Sequence, residues 1–132
     1  AWSPDSHSIA TASADGTAKI WDTTIGECMQ TLEGHKGVVR SAAFSPDSST
    51  VVTCGWDRTV RLWGTLDGHC HFILRGHSGD VFSALFSPDG GRIVTGSDDH
   101  TAKVWSASTG EGALLTLAGH EETVRSAAFS LD

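Results

Sequence analysis

Tyrosine is absent from this chain, methionine occurs once, and proline and cysteine three times each. Five tryptophans without a tyrosine are unusual but suggest no function by themselves. Positive charge is the more telling shortage: 9 Lys and Arg face 16 Asp and Glu, for a net charge of −7. A generic nucleic-acid binder needs a basic face to displace counterions, so that class is disfavoured, as is adhesion to an anionic membrane. No uninterrupted apolar stretch approaches membrane-spanning length. Three cysteines, an odd number, make no disulfide framework. Cys28, Cys54 and Cys70 are expected to be free thiols, which fits a reducing, cytoplasmic setting. The remaining apolar fraction, 39%, is enough for a packed core.

What the chain has in abundance is repetition. The phrases SADGTAKIW, GWDRTVRLW and SDDHTAKVW end at Trp21, Trp63 and Trp105, 42 residues apart. Gly-His recurs at Gly34-His35, Gly76-His77 and Gly119-His120. A fixed period of this length means supersecondary units that cannot bury their apolar faces alone. In the middle unit Val38–Phe44 reads as a strand rich in small residues, and Ser45-Pro46-Asp47 as a turn. Thr50–Gly55 is a second strand, followed by a tight turn at Trp56-Asp57-Arg58. Thr59–Trp63 is a third, with Val60 and Leu62 on one face and Arg61 and Trp63 on the other. Cys70–Leu74 is a fourth. Gly26, Gly68 and Gly110 are expected in left-handed turn conformations. Four short antiparallel strands per repeat predict an all-β propeller. Ala42, Ala43, Ala84, Ala127 and Ala128 suit its crowded inner strands. Residues 1–33 form a partial blade, 34–75 and 76–118 whole blades, and 119–132 the first strand of a next or shared blade.

The Gly-His pairs, the Ser-Pro-Asp turn, the Asp six residues before Trp and the strand-ending Trp together resemble the WD-repeat β-propeller family over essentially the whole chain. At the strand-ending tryptophans the literal Trp-Asp pair stands only at Trp21-Asp22; Gly64 and Ser106 depart from it. The resemblance implies a structural hydrogen-bond network in each blade, formed by a loop His, a second-strand Ser or Thr, a turn Asp and a third-strand Trp. In the third unit these are His77, Ser97, Asp99 and Trp105. The second has His35, Asp57 and Trp63, with Gly55 where the hydroxyl belongs, so Gly55→Ser is expected to raise its melting temperature. The first has Ser13, Asp15 and Trp21, and His120 is the complement from the far end of the chain.

Ser, His and Asp also invite an acyl-transfer reading. Catalysis needs one preorganised constellation, whereas these groups recur in every unit, so no catalytic residue and no enzyme is expected. His69 and His71 share one strand face and Cys70 points to the other, so they do not converge on a tetrahedral metal. Neither a metal nor a cofactor is implied. Function therefore falls to exposed positions that vary between repeats. The resemblance places these on one rim of the disk: Ala14, Trp56 and Asp98 before the turn Asp, and Val38, Arg40, Asp80, Phe82, Thr123 and Arg125 at the first strands. Trp56 and Arg40 are the leading anchors, since Trp and Arg dominate interface energetics. Trp56 covering a neighbouring blade is the structural alternative.

Propellers have roughly four to eight blades, and this chain carries about three. It opens on Ala1 within what reads as a strand, and Ala1–Asp5 matches Ala128–Asp132. Neighbouring repeats of a longer chain, or head-to-tail copies closing a ring of about six blades, are expected to complete it. The expected role is a non-enzymatic protein-interaction scaffold. The alternative is the sensor or regulatory arm of a larger signalling protein, such as a nucleotide-switch receptor or a kinase.

Overall fold

The computed structural model describes residues 1–132 as strands and turns with no helix. β1 (Ser8–Ala12), β2 (Thr17–Asp22) and β3 (Cys28–Glu33) form a three-stranded antiparallel sheet. β4 (Val39–Phe44), β5 (Thr50–Gly55), β6 (Val60–Gly64) and β7 (Cys70–Leu74) form a four-stranded sheet in chain order. β8 (Val81–Phe86), β9 (Arg92–Ser97), β10 (Thr101–Ser106) and β11 (Leu115–Ala118) repeat it. Each sheet is one blade of an unclosed propeller. The first has a stub of a fourth strand: Trp2 bridges Ile9, and Ala1 and Ala10 exchange backbone bonds of 2.8 Å.

Strand alternation divides each blade between two cores. Val52, Cys54, Val60, Leu62 and Leu74 of the second blade pack against Val81, Ala84, Ile93 and Trp105 of the third. From its other face Val39, Val51 and Trp63 meet Ala10, Ala18, Ile20 and Leu32 of the first. A blade thus offers an aliphatic face forward and a tryptophan face backward, and the middle blade is covered on both. That explains why β6 is buried along its length although it contains Arg61. Small residues in the inner strands, Ala43 and Ala84 among them, let the blades approach where they converge.

The turns are locally determined. Ser45 Oγ donates to Asp47 Oδ1 at 2.6 Å, and the Ser49 and Thr50 N–H groups donate to Asp47 and Ser45. Ser3 with Asp5, and Ser87 with Asp89, repeat the pattern. These bonds, led by the one from Ser45, hold the Asp47 carboxyl at about 2, below its usual 3.8. Gly26, Gly68 and Gly110 adopt the expected left-handed conformation, with φ of 73°, 66° and 65°.

The C-terminal segment departs from expectation. Thr123–Phe129 forms no strand. A strand is defined by its ladder, and no second strand of a fourth blade lies beside it. The segment nevertheless docks against the third blade. Val124 is buried and its N–H donates to Ser97 O at 2.9 Å, as Val39 N–H donates to Ser13 O at 3.0 Å between the first two blades. The outer face of the third blade stays open, with Leu115 and Leu117 exposed at 54% and 52%.

Candidate functional site

A polar network buried in the second and third blades holds the turns that carry the candidate rim. His35 arrives on the loop after β3, Thr53 on β5, Asp57 on the β5–β6 turn and Trp63 on β6. Trp63 Nε1–H donates to Thr53 Oγ1 at 2.8 Å. Thr53 Oγ1 lies 2.7 Å from His35 Nε2, and His35 Nδ1 lies 2.9 Å from Asp57 Oδ2. One tautomer satisfies the chain: Thr53 O–H donates to His35 Nε2, and His35 Nδ1–H donates to Asp57. The third blade repeats it, with Trp105 Nε1 to Thr95 Oγ1 at 3.0 Å, Thr95 Oγ1 to His77 Nε2 at 2.6 Å and His77 Nδ1 to Asp99 at 2.7 Å. The Gly-His glycine is required by the same packing. Gly76 has φ of 154°, and a Cβ there would stand 3.2 Å from the Trp105 ring.

Two expectations are corrected here. The network hydroxyl is not at the Ser13, Gly55 and Ser97 register but two residues earlier, at Thr11, Thr53 and Thr95. Side chains two apart share a strand face, so a hydroxyl at either register was compatible with the pattern. Ser97 instead braces the turn, accepting from Asp99 N–H at 3.1 Å and donating to Asp80 O at 2.9 Å. Ser13 likewise accepts from Asp15 N–H at 3.2 Å. The second network therefore lacks nothing, and Gly55 is glycine for a different reason: a Cβ there would lie 2.2 Å from Val38 O. The signal for the threonines was present, since Thr11, Thr53 and Thr95 keep the 42-residue period without exception.

In the first blade Trp21 Nε1–H donates to Thr11 Oγ1 at 2.9 Å, but no histidine joins them. The Asp15 carboxylate is bonded by Thr17 and lies in an exposed turn. His120 is exposed at the other end of the chain. Arg61 was unforeseen as a network member. It is buried beside Gly34, with its Nε–H donating to Thr59 Oγ1 at 3.5 Å and a guanidinium nitrogen 4.0 Å from Asp57.

Burial dominates the titration of both histidines, lowering their affinity for a proton below the usual 6.5 despite the adjacent carboxylates. For the aspartates burial works against ionisation and is outweighed. Bonds from Lys36 N–H, Thr59 and His35 hold the Asp57 carboxyl at about 2, and equivalent bonds lower that of Asp99. A hydroxyl, an imidazole and a carboxylate in line have the form of an acyl-transfer triad. Here the hydroxyls of Thr53 and Thr95 are fully buried, and each accepts a tryptophan N–H where a substrate carbonyl would have to approach. Around His69-Cys70-His71, His71 Nε2 pairs with Asp67 Oδ2 at 3.0 Å, and no group of three or more His, Cys, Asp or Glu is arranged to hold a metal.

The network's turn carries the candidate rim. Trp56 precedes Asp57 and is exposed at 50%, so covering a neighbour accounts for half its surface at most. Its N–H donates to Val38 O at 2.9 Å, which ties it to the start of β4. The β4–β5 register shifts between Val39 and Ser41, and the β8–β9 register between Val81 and Ser83. Arg40 and Phe82 are thus the unpaired residues of two β-bulges, a device that re-aims side chains. They meet across the blade boundary, with the Arg40 guanidinium 5.3 Å from the Phe82 ring centre. Asp98 N–H donates to Asp80 O at 2.8 Å, placing these two on the third blade's rim, and Asp98 accepts from the Thr123 hydroxyl. Arg125 is exposed on the C-terminal segment.

Comparison with known proteins agrees with this architecture. The family model described as WD domain, G-beta repeat matches residues 1–22, 26–64 and 66–106. The chain is 48% identical over 44 residues to the Denticleless protein homolog of Gallus gallus, a match covering 33% of this chain and 6% of that protein. It is 46% identical over 44 residues to the Periodic tryptophan protein 2 homolog of Dictyostelium discoideum, covering 33% and 5%. It is 59% identical over 34 residues to Dynein assembly factor with WD repeat domains 1 of Mus musculus, covering 26% and 8%. These alignments span less than a tenth of each relative.

Two outcomes are expected from the network. Thr53→Val keeps the side-chain shape and orphans Trp63 Nε1–H and His35 Nε2, at a cost of about 1–3 kcal/mol for each unmet partner. Thermal melting should fall accordingly, and Gly55→Ser should lower it too. The pH dependence follows from the shifts. Above the unfolded histidine value of 6.5 the stabilisation from His35 and His77 is complete; it declines as pH falls, because the unfolded chain then binds more protons. Asp57 adds a second loss, starting below its unfolded 3.8 and continuing towards about 2. Melting temperature measured against pH should therefore drop in two stages, and a flat profile between pH ~7 and ~5 would contradict the neutral-histidine network.

Proposed function

Since the chain belongs to the WD-repeat family, we propose that it is a non-enzymatic platform that binds other proteins through the rim of its second and third blades. One observation carries this reading. In the second and third blades the repeat's constant polar groups are engaged in the networks, whereas Trp56 and Arg40 vary between repeats and are exposed. Exposed Trp and Arg at fixed positions are the residue types from which interface hot spots are made. Arg40 is held by its contact with Phe82, which reduces the side-chain entropy lost on binding.

The open blade faces call for a second kind of partner. Leu115 and Leu117 on one side, and Trp2 on the other at 63% exposure, occupy places that further blades would cover. We infer that neighbouring repeats or a second copy supply them. The two cases differ in mass.

Trp56→Ala and Arg40→Ala should each weaken capture of a bound protein partner by about 2 kcal/mol or more while leaving thermal melting unchanged. Retained folding with undiminished capture would remove both residues as anchors. Native mass measurement of the 132-residue chain addresses its completion. Head-to-tail pairing predicts a species of twice 13.9 kDa, and a folded monomer would leave neighbouring repeats as the source of the missing blades.

A further inference from the structure

We propose that the second-blade rim takes an acidic peptide segment bearing one apolar side chain, with Trp56 as the platform for that side chain and Lys36, Arg40 and Arg58 as its cationic surround. This rests on the rim being the binding surface. The chain has 9 Lys and Arg in all and a net charge of −7, so three cations on the loop, bulge and turn that adjoin one exposed tryptophan run against its average.

The repeat supplies an internal control. At the places of Lys36, Arg40, Trp56 and Arg58 the third blade has Ser78, Phe82, Asp98 and His100. That blade builds the same strands and the same network, so neither the cations nor the tryptophan is demanded by the fold. Arg58 is even unfavourable locally, holding φ of 65° where the first blade places Gly16.

The geometry gathers these groups. Lys36 N–H donates to Asp57 Oδ2 at 3.0 Å, which seats its loop on the turn bearing Trp56 and Arg58. A Cβ on Gly37 would lie 3.7 Å from the Trp56 Cβ. Arg40 leaves β4 at the bulge, two residues beyond the Val38 carbonyl that binds Trp56 N–H. All three cationic side chains are exposed, and none is among the chain's salt bridges. The Asp57 carboxylate, between Trp56 and Arg58 in the chain, is engaged by His35, Thr59 and the Lys36 backbone.

Charge also limits the extent of the partner. Asp80 and Asp98 stand on the next blade's rim, so an acidic segment is attracted at the second blade and repelled at the third. A long polyanion tracking the rim would cross those carboxylates, which favours a short acidic peptide over a nucleic acid. The exposed half of Trp56 requires an apolar side chain within that segment.

Fluorescence anisotropy with the 132-residue chain and labelled peptides tests this. The reference peptide has one leucine flanked by Asp and Glu, and its controls replace the acids by Asn and Gln or by Lys, or the leucine by Gly. The acidic leucine peptide should bind in a salt-sensitive manner, with the amide control about tenfold weaker. Combined Lys36→Glu, Arg40→Glu and Arg58→Glu should abolish the acid preference, and Trp56→Ala the leucine preference, at unchanged melting temperature. Should the triple variant unfold, Arg40→Gln alone must still narrow the gap between the acidic and amide peptides. Equal binding of the amide or lysine control, still weakened by Trp56→Ala, would overturn the acidic class while keeping the rim. Oligothymidylate displacing the acidic peptide with equal affinity would overturn it in favour of nucleic acid. Binding insensitive to both Trp56 and the cations would overturn the rim reading as well.

Discussion

The threonine hydroxyl between tryptophan and histidine is the interaction on which the rest of the second and third blades depends. Thr53 accepts from Trp63 and donates to His35, whose other nitrogen donates to Asp57. Four separate segments are thereby locked in one direction of proton donation. Every member is buried or nearly so, and an unmet group would cost more than a made bond contributes. The turn that carries Asp57 is held from inside the blade, and the same turn presents Trp56 to solvent. A buried polar chain thus gives an exposed side chain a rigid seat, which is how a scaffold with constant positions can display variable ones.

Blade packing complements this local lock. Each blade meets its neighbours through an aliphatic face and a tryptophan face, and these two faces are complementary when blades are stacked in order. The same design leaves an open face at either end of the chain. The C-terminal segment docks on the third blade as the second blade docks on the first, since Val124 repeats the bond that Val39 makes. The proposed rim and the open blade faces are therefore different surfaces: the rim lies on bulges and turns, the open faces on strands.

Most of the architecture was legible because it is periodic. The strands, the turn glycines and the network's His, Asp and Trp all follow from residues recurring every 42 positions. The network hydroxyl was misread for a physical reason. Residues 53 and 55 lie on the same strand face, and alternation cannot say which of two such places approaches the histidine. The uninterrupted threonine series held that information. Arg61 was legible as sharing a strand face with Trp63 but not as a buried residue. Its burial depends on the loop at Gly34, which arrives from the end of another sheet.

The sequence by itself determined the repeat, the four-stranded unit, the turns and the set of positions free to vary, because each is a local or periodic property. Tertiary structure alone decided which hydroxyl closes the network, since that is a distance between strands and a loop. It decided that Gly55 faces a carbonyl, and that Arg40 leaves its strand at a bulge to meet Phe82. It also decided the state of residues 123–129: their composition suits a strand, but a ladder requires a neighbour, and within this chain none lies beside them.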